Sequence, residues 1–158
     1  MKLLLIISFL LNIQSVNDIP EYSGSVIDLS TLNITTLYKG STKQFVADKL
    51  NTKGIYDIVS KEKGLWHVTL NFKITEKTIN DRDIWIQFRT NINAANVYLN
   101  DKLLFKNGIV ESSFQAKDGG KNLVRKRIPK EHLVNGYNNI EIEFTNYKNQ
   151  TNAIFRDL

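Results

Sequence analysis

Between residues 84 and 108 the sequence IWIQFRTNINAANVYLNDKLLFKNG carries short alternating runs separated by polar turns. Ile84, Ile86 and Phe88 fall on one face, and Trp85, Gln87 and Arg89 on the other. The Asn-rich segment 90–96 suits a turn, because Asn tolerates left-handed backbone and bonds back to its own main chain. Val97 and Leu99 restore the alternation, with Asn96, Tyr98 and Asn100 opposite them. Asn100-Asp101 fits the central pair of a tight hairpin turn, since both residue types accept positive φ. Leu103, Leu104 and Phe105 then make a further strand, and Asn107-Gly108 a second turn. Alternation with turn chemistry between the runs is the mark of antiparallel strands buried on one side. The stretch predicts the core of a β-sandwich and contains no catalytic motif.

The remaining chain repeats this grammar. Residues 1–15, MKLLLIISFLLNIQS, have one Lys, an apolar run and a small Ser15, the layout of a secretory signal peptide. Residues 16–25 read as a linker. The segments 26–29 and 31–38 suit strands, being rich in β-branched residues. After Gly64, Trp66, Val68, Leu70 and Phe72 share one face, and Leu65, His67, Thr69 and Asn71 the other. Trp66 is expected in the core. Residues 76–83, EKTINDRD, read as a charged hairpin loop, and 109–120 as a loop ending in Asp118-Gly119-Gly120. Residues 128–133 suggest a single helical turn with Pro129 at its first position, where a missing N–H costs nothing. In residues 139–144, Ile140, Ile142 and Phe144 are expected inside, with Glu141 and Glu143 outside.

Composition bounds the chemistry. The 158 residues suffice for one domain with its own core, and 42% hydrophobic with 23% charged residues is ordinary for a globular protein. Twenty-one Lys and Arg against 16 Asp and Glu leave a charge of +5, with a cluster in 121–130, KNLVRKRIPK. No basic stripe interleaves with stacking aromatics, so no nucleic-acid partner is expected. With no cysteine, disulfides, thiolate nucleophiles and Cys-ligated metals are excluded. The apolar run of residues 3–11 is too short to span a bilayer, and no transmembrane span follows it in the sequence, so the mature domain is not expected to insert in the membrane.

The pattern W…F…WIxF…NxAxVYLNxKLLxxNG…IPKxxLxxGxNxIxIxF resembles the galactose-binding-like jelly roll. That fold precedes the catalytic domains of many β-galactosidases and β-glucuronidases of glycoside hydrolase family 2. It also forms the extracytoplasmic ligand domain of bacterial seven-transmembrane (7TM-DISM) and histidine-kinase sensors. The resemblance covers residues 26–158, which would be one jelly-roll domain. Residues 37–50 are similar to the L-x-G-x-W-x-F opening, but Thr42 or Lys43 stands where Trp is expected, while Phe45 keeps the aromatic. Residues 145–158 are similar to the ending of the sensor version, with the last strand only begun at Leu158. This raises the expectation of a longer protein with further domains.

The resemblance implies an all-β jelly-roll sandwich that is non-catalytic, and residues 1–15 imply that it is exported, secreted or periplasmic. It would be a sensory or ligand-binding module for a carbohydrate or small polar ligand. The alternatives are the sugar-binding domain of a glycoside hydrolase, and a structural protein-interaction domain. The residues agree on the absence of catalysis: there is no G-x-S-x-G, and Asp81 with Asp83 and Glu141 with Glu143 read as solvated faces. His67 and His132 have no second His at ligand spacing, so no metal site is expected through them. No cofactor is expected; such jelly rolls often carry a structural calcium, for which no ligands are assigned. A sugar site needs an aromatic surface beside polar side chains. Trp85, Gln87, Arg89, Asn96 and Tyr98 are therefore the candidate ligand residues, on the assumption that their two strands pair as a hairpin.

Overall fold

The alternation becomes strand after strand in the computed structural model, which describes residues 19–29, 32, 34–40, 43–45, 64–90, 94–111, 123–145 and 155–156. For residues 43–45, 88–90, 123 and 155–156 it describes the backbone course alone. The expected signal peptide, residues 1–15, and most of the loop at 109–120 lie outside the described residues.

Strands β1 (Glu21–Tyr22), β2 (Val26–Asp28), β3 (Ile34–Lys39) and β4 (Lys43–Phe45) lead into the long β5 (Leu65–Ile74). Helix α1 (Glu76–Asp81) precedes β6 (Trp85–Thr90), β7 (Ala94–Leu99), β8 (Lys102–Asn107) and β9 (Leu123–Arg127). A 3-10 turn (Lys130–His132), β10 (Gly136–Thr145) and β11 (Phe155–Arg156) follow. β5 and β10 form the spine, antiparallel along their whole length from Leu65↔Thr145 to Ile74↔Gly136. They are central in a seven-stranded sheet ordered β4-β3-β5-β10-β7-β8, with β1 parallel to the end of β5 that β3 leaves free. The facing four-stranded sheet is built on β6, which pairs with β2, β9 and β11.

The core fills the space between the sheets. Trp66, Val68, Leu70 and Phe72 from β5 and Ile140, Ile142 and Phe144 from β10 are fully buried, as the alternation predicts. They meet Ile27, Ile86 and Val124 from the smaller sheet in one cluster. Trp66 stacks on Phe144 across the β5–β10 pair at 6.4 Å and 11°. Tyr22 meets Phe72 edge-on at 6.0 Å, so the sandwich begins inside the segment read as a linker. The result is the all-β sandwich expected from the sequence. Lys126 is in phase with buried Val124 and Ile128, yet is itself exposed on β9. A charge there discourages edge-to-edge pairing with another chain.

The β7–β8 hairpin turns where the sequence indicates, with Asn100 at φ 48° and Asp101 at φ 65°. A register shift between Val97 and Tyr98 marks a bulge that lets Leu104 and Phe105 both be buried, which strict alternation would forbid. Asparagines tie this turn to the start of β10. Asn100 Nδ2 donates to His132 O at 2.8 Å and to Asn138 Oδ1 at 2.9 Å, while its Oδ1 accepts from Asn139 N.

Three sequence expectations are corrected. β6 and β7 do not pair as a hairpin: they belong to different sheets, and the chain crosses the sandwich between them. Residues 76–83 are not merely a hairpin loop, because α1 forms there. Thr75 caps it by accepting from Thr78 N at 3.2 Å, and Ile79 anchors it in the core. Pro129 sits at the N-cap of the 3-10 turn rather than inside it. Among the described residues no helix is long and apolar enough to cross a membrane.

Candidate functional site

The outer face of the seven-stranded sheet carries the side chains that β3, β5, β7 and β10 turn away from the core. Register places them in rows across the strands. One row runs Tyr38, His67, Glu143, Asn96, and the next runs Thr36, Thr69, Glu141, Tyr98. Beyond them Asn139 donates to Asn71 Oδ1 at 3.0 Å, and Asn71 donates to Thr35 Oγ1 at 3.0 Å. At the far end Lys73 Nζ lies 4.6 Å from the Tyr137 ring. A run of polar and aromatic groups thus crosses a face whose reverse is largely apolar.

The rows are joined through their carboxylates. Glu143 Oε2 accepts from Asn96 Nδ2 and from the Tyr98 hydroxyl, each at 3.1 Å. Its Oε1 stands 3.8 Å from His67 Nδ1, and Glu141 Oε1 stands 3.5 Å from the same nitrogen. Burial, and then the Glu143 carboxylate that accepts its O–H, raise the Tyr98 phenol above its ordinary 10.0. A phenol raised in the folded state contributes stability that is complete below the unfolded value and is lost as pH rises through the folded one. The stability advantage of the wild type over Tyr98→Phe should therefore shrink above about pH 10. Urea denaturation of both at neutral pH and near pH 11 checks this; a constant difference would contradict it.

Beside the carboxylates lies an open depression of about 540 Å³, lined by Tyr38, Gly40, Leu65, His67, Thr69 and Glu141. Tyr38 and Leu65 offer apolar surface, and Thr69, His67 and Glu141 offer hydrogen-bonding groups. That mixture suits a small ligand with both C–H faces and hydroxyls.

The structure divides the residues singled out from the sequence. Asn96 and Tyr98 are on this face, on the strand next to β10, whose Glu141 lines the depression, and their polar atoms are bonded to Glu143. Trp85 and Gln87 are on the outer face of the opposite sheet, across the core. There Arg125 lies over the Trp85 ring at 5.4 Å, and Gln87 Nε2 donates to Asp28 Oδ2 at 3.4 Å. Arg89 is paired in β6 opposite Leu123 and Arg156, and its side chain lies outside the described residues. The expected single patch from Trp85 to Tyr98 does not form, because it needed β6 and β7 to be neighbours. Tyr38, His67, Thr69 and Glu141 were missed as a group. His67, Thr69 and Glu141 were legible as outward-facing, but only the strand register brings them together with Tyr38.

Solved structures share this architecture. The β-D-glucuronidase of Dictyoglomus thermophilum superposes with a TM-score of 0.52 at 19% identity, over 73% of this chain and 19% of the enzyme. The β-D-mannosidase of the same organism gives 0.51 at 13% identity, over 73% of this chain and 15% of the enzyme. No protein-family profile matches the sequence, and no curated protein does. The chain thus spans less than a fifth of the glycosidases it is similar to, and the likeness is one of fold. The described residues adopt an all-β sandwich, a fold shared with part of these much longer enzymes.

Proposed function

We propose that the chain is a non-catalytic ligand-binding module that takes a carbohydrate, or a small ligand of similar polarity, on the outer face of its seven-stranded sheet. The observation that carries this reading is the depression between Tyr38 and Glu141, where an aromatic ring and an aliphatic side chain adjoin His, Thr and carboxylate groups. A sugar ring presents C–H surface to the first and hydroxyls to the second. The layout of residues 1–15 supports a place outside the cytoplasmic membrane, in which a sensory role would fit.

A second reading has its own support. Proteins of similar fold are glycosidases in which this fold is a small share of the chain. On that reading the module belongs to a longer hydrolase and supplies it with sugar contacts or a docking surface.

A thermal-shift screen of the full chain against neutral, acidic and amino sugars tests the ligand reading. A true ligand at a hundred times its Kd should add about 2.7 kcal/mol of stability. That corresponds to a rise in Tm of roughly 5–10 °C for a chain of this size. Tyr38→Ala should remove the shift while leaving the unliganded transition cooperative. A screen in which no sugar raises Tm would overturn carbohydrate binding and favour a purely structural interaction domain.

A further inference from the structure

We propose that His67, Glu141 and Glu143 form a binding site for a divalent first-row transition-metal ion, with zinc as the ion to test. The three side chains come from β5 and β10, the most extensively paired strands of the fold, so their spacing is set by the ladder rather than by a loop. His67 Nδ1 lies 3.5 Å from Glu141 Oε1 and 3.8 Å from Glu143 Oε1. One ligand atom from each residue falls within 4.8 Å of the others. Tetrahedral zinc with bonds of about 2.0–2.1 Å needs its ligands roughly 3.3 Å apart, so small side-chain rotations suffice.

Orientation is a separate observation. Glu143 uses Oε2 to accept from Asn96 and Tyr98, which leaves Oε1 turned toward His67. A carboxylate held by outer hydrogen bonds, with its other oxygen aimed at an imidazole, is the arrangement that supports a metal ligand. The side chains of His67, Glu141 and Glu143 are 25%, 41% and 27% exposed, so an ion could enter from solvent and keep open positions. Those positions would face the depression, which His67 and Glu141 also line. One imidazole with two carboxylates favours zinc or manganese over calcium, which prefers six or more oxygens.

The site shares a face with the proposed sugar site and deepens that reading, since an ion there could coordinate ligand hydroxyls. It is tested with metal alone, so the two can fail separately. Full-length protein stripped with chelator and dialysed is titrated calorimetrically with zinc chloride and, separately, calcium chloride. One saturable zinc site is expected, weakened at least tenfold in His67→Gln and in Glu143→Gln. Tyr98→Phe, which leaves all three ligands in place, should weaken it by roughly 10-fold or more through loss of the outer hydrogen bond. Circular dichroism of each metal-free variant establishes that it is folded. Zinc binding of unchanged strength in His67→Gln, absence of a saturable site, or calcium binding as tight as zinc would each overturn the inference. Sugar binding without zinc binding would leave the ligand reading standing, and zinc binding without any sugar shift would do the reverse.

Discussion

Trp66→Ala is expected to destabilise the protein by about 3–5 kcal/mol, as truncation of a large aromatic in a packed core does. Trp66 is fully buried in the middle of the sandwich and stacks on Phe144 of the neighbouring strand. Its removal deletes apolar surface from both sheets and leaves a cavity that the long β5–β10 ladder cannot close. Typical domain stability is about 5–15 kcal/mol, so the variant should be near the limit of folding. Trp85→Ala, on the outer face of the smaller sheet, loses mainly partial burial and the contact with Arg125. An exposed cation–π pair is worth about 0.5–1 kcal/mol, so this change should be mild. Chemical denaturation of both variants measures the contrast. Equal losses would contradict the placement of the two tryptophans.

Asn138→Ala should be nearly as damaging, at about 2–4 kcal/mol, although it removes no hydrophobic surface. Asn138 is 2% exposed and its amide is fully used. Oδ1 accepts from Val134 N at 3.0 Å and Asn100 Nδ2 at 2.9 Å. Nδ2 donates to Val134 O at 2.8 Å and Gly136 O at 3.1 Å. The side chain therefore replaces backbone bonds in the turn that delivers β10, and links that turn to the β7–β8 hairpin. Alanine leaves these part-buried groups without their partner. Hydrogen exchange should show the Val134 amide losing protection in Asn138→Ala while the centre of β5 keeps it. Unchanged protection at Val134 would contradict the role given to Asn138.

These residues show how far the sequence carries. Trp66, Val68, Leu70 and Phe72, and likewise Ile140, Ile142 and Phe144, were legible as core because a strand sends alternate side chains to opposite faces. Asn100-Asp101 was legible because few residue pairs accept two successive positive φ angles. Strand partners were not legible. The alternation in 84–99 says which face Trp85 and Tyr98 share within their own strands, and it says nothing about whether those strands are neighbours. The short Asn-rich segment between them reads equally well as a hairpin turn or as a crossing between sheets. The candidate site suffered most from this gap. His67 lacks a second His at ligand spacing, and Glu141 and Glu143 read as a solvated face. Their meeting depends on the register Glu143↔His67, a long-range pairing that local spacing does not encode. The α1 helix was masked by its charges, and its signal was Thr75 capping an element whose one apolar anchor is Ile79.

The central claim is that ligand binds the outer face of the seven-stranded sheet, beside Tyr38, His67 and Glu141. The most direct test titrates the best sugar from the thermal-shift screen into full-length wild type, Glu141→Ala and Trp85→Ala by calorimetry. The account predicts binding weakened at least tenfold in Glu141→Ala and unchanged within twofold in Trp85→Ala. Full binding in Glu141→Ala with loss in Trp85→Ala would place the ligand on the opposite sheet and contradict the claim.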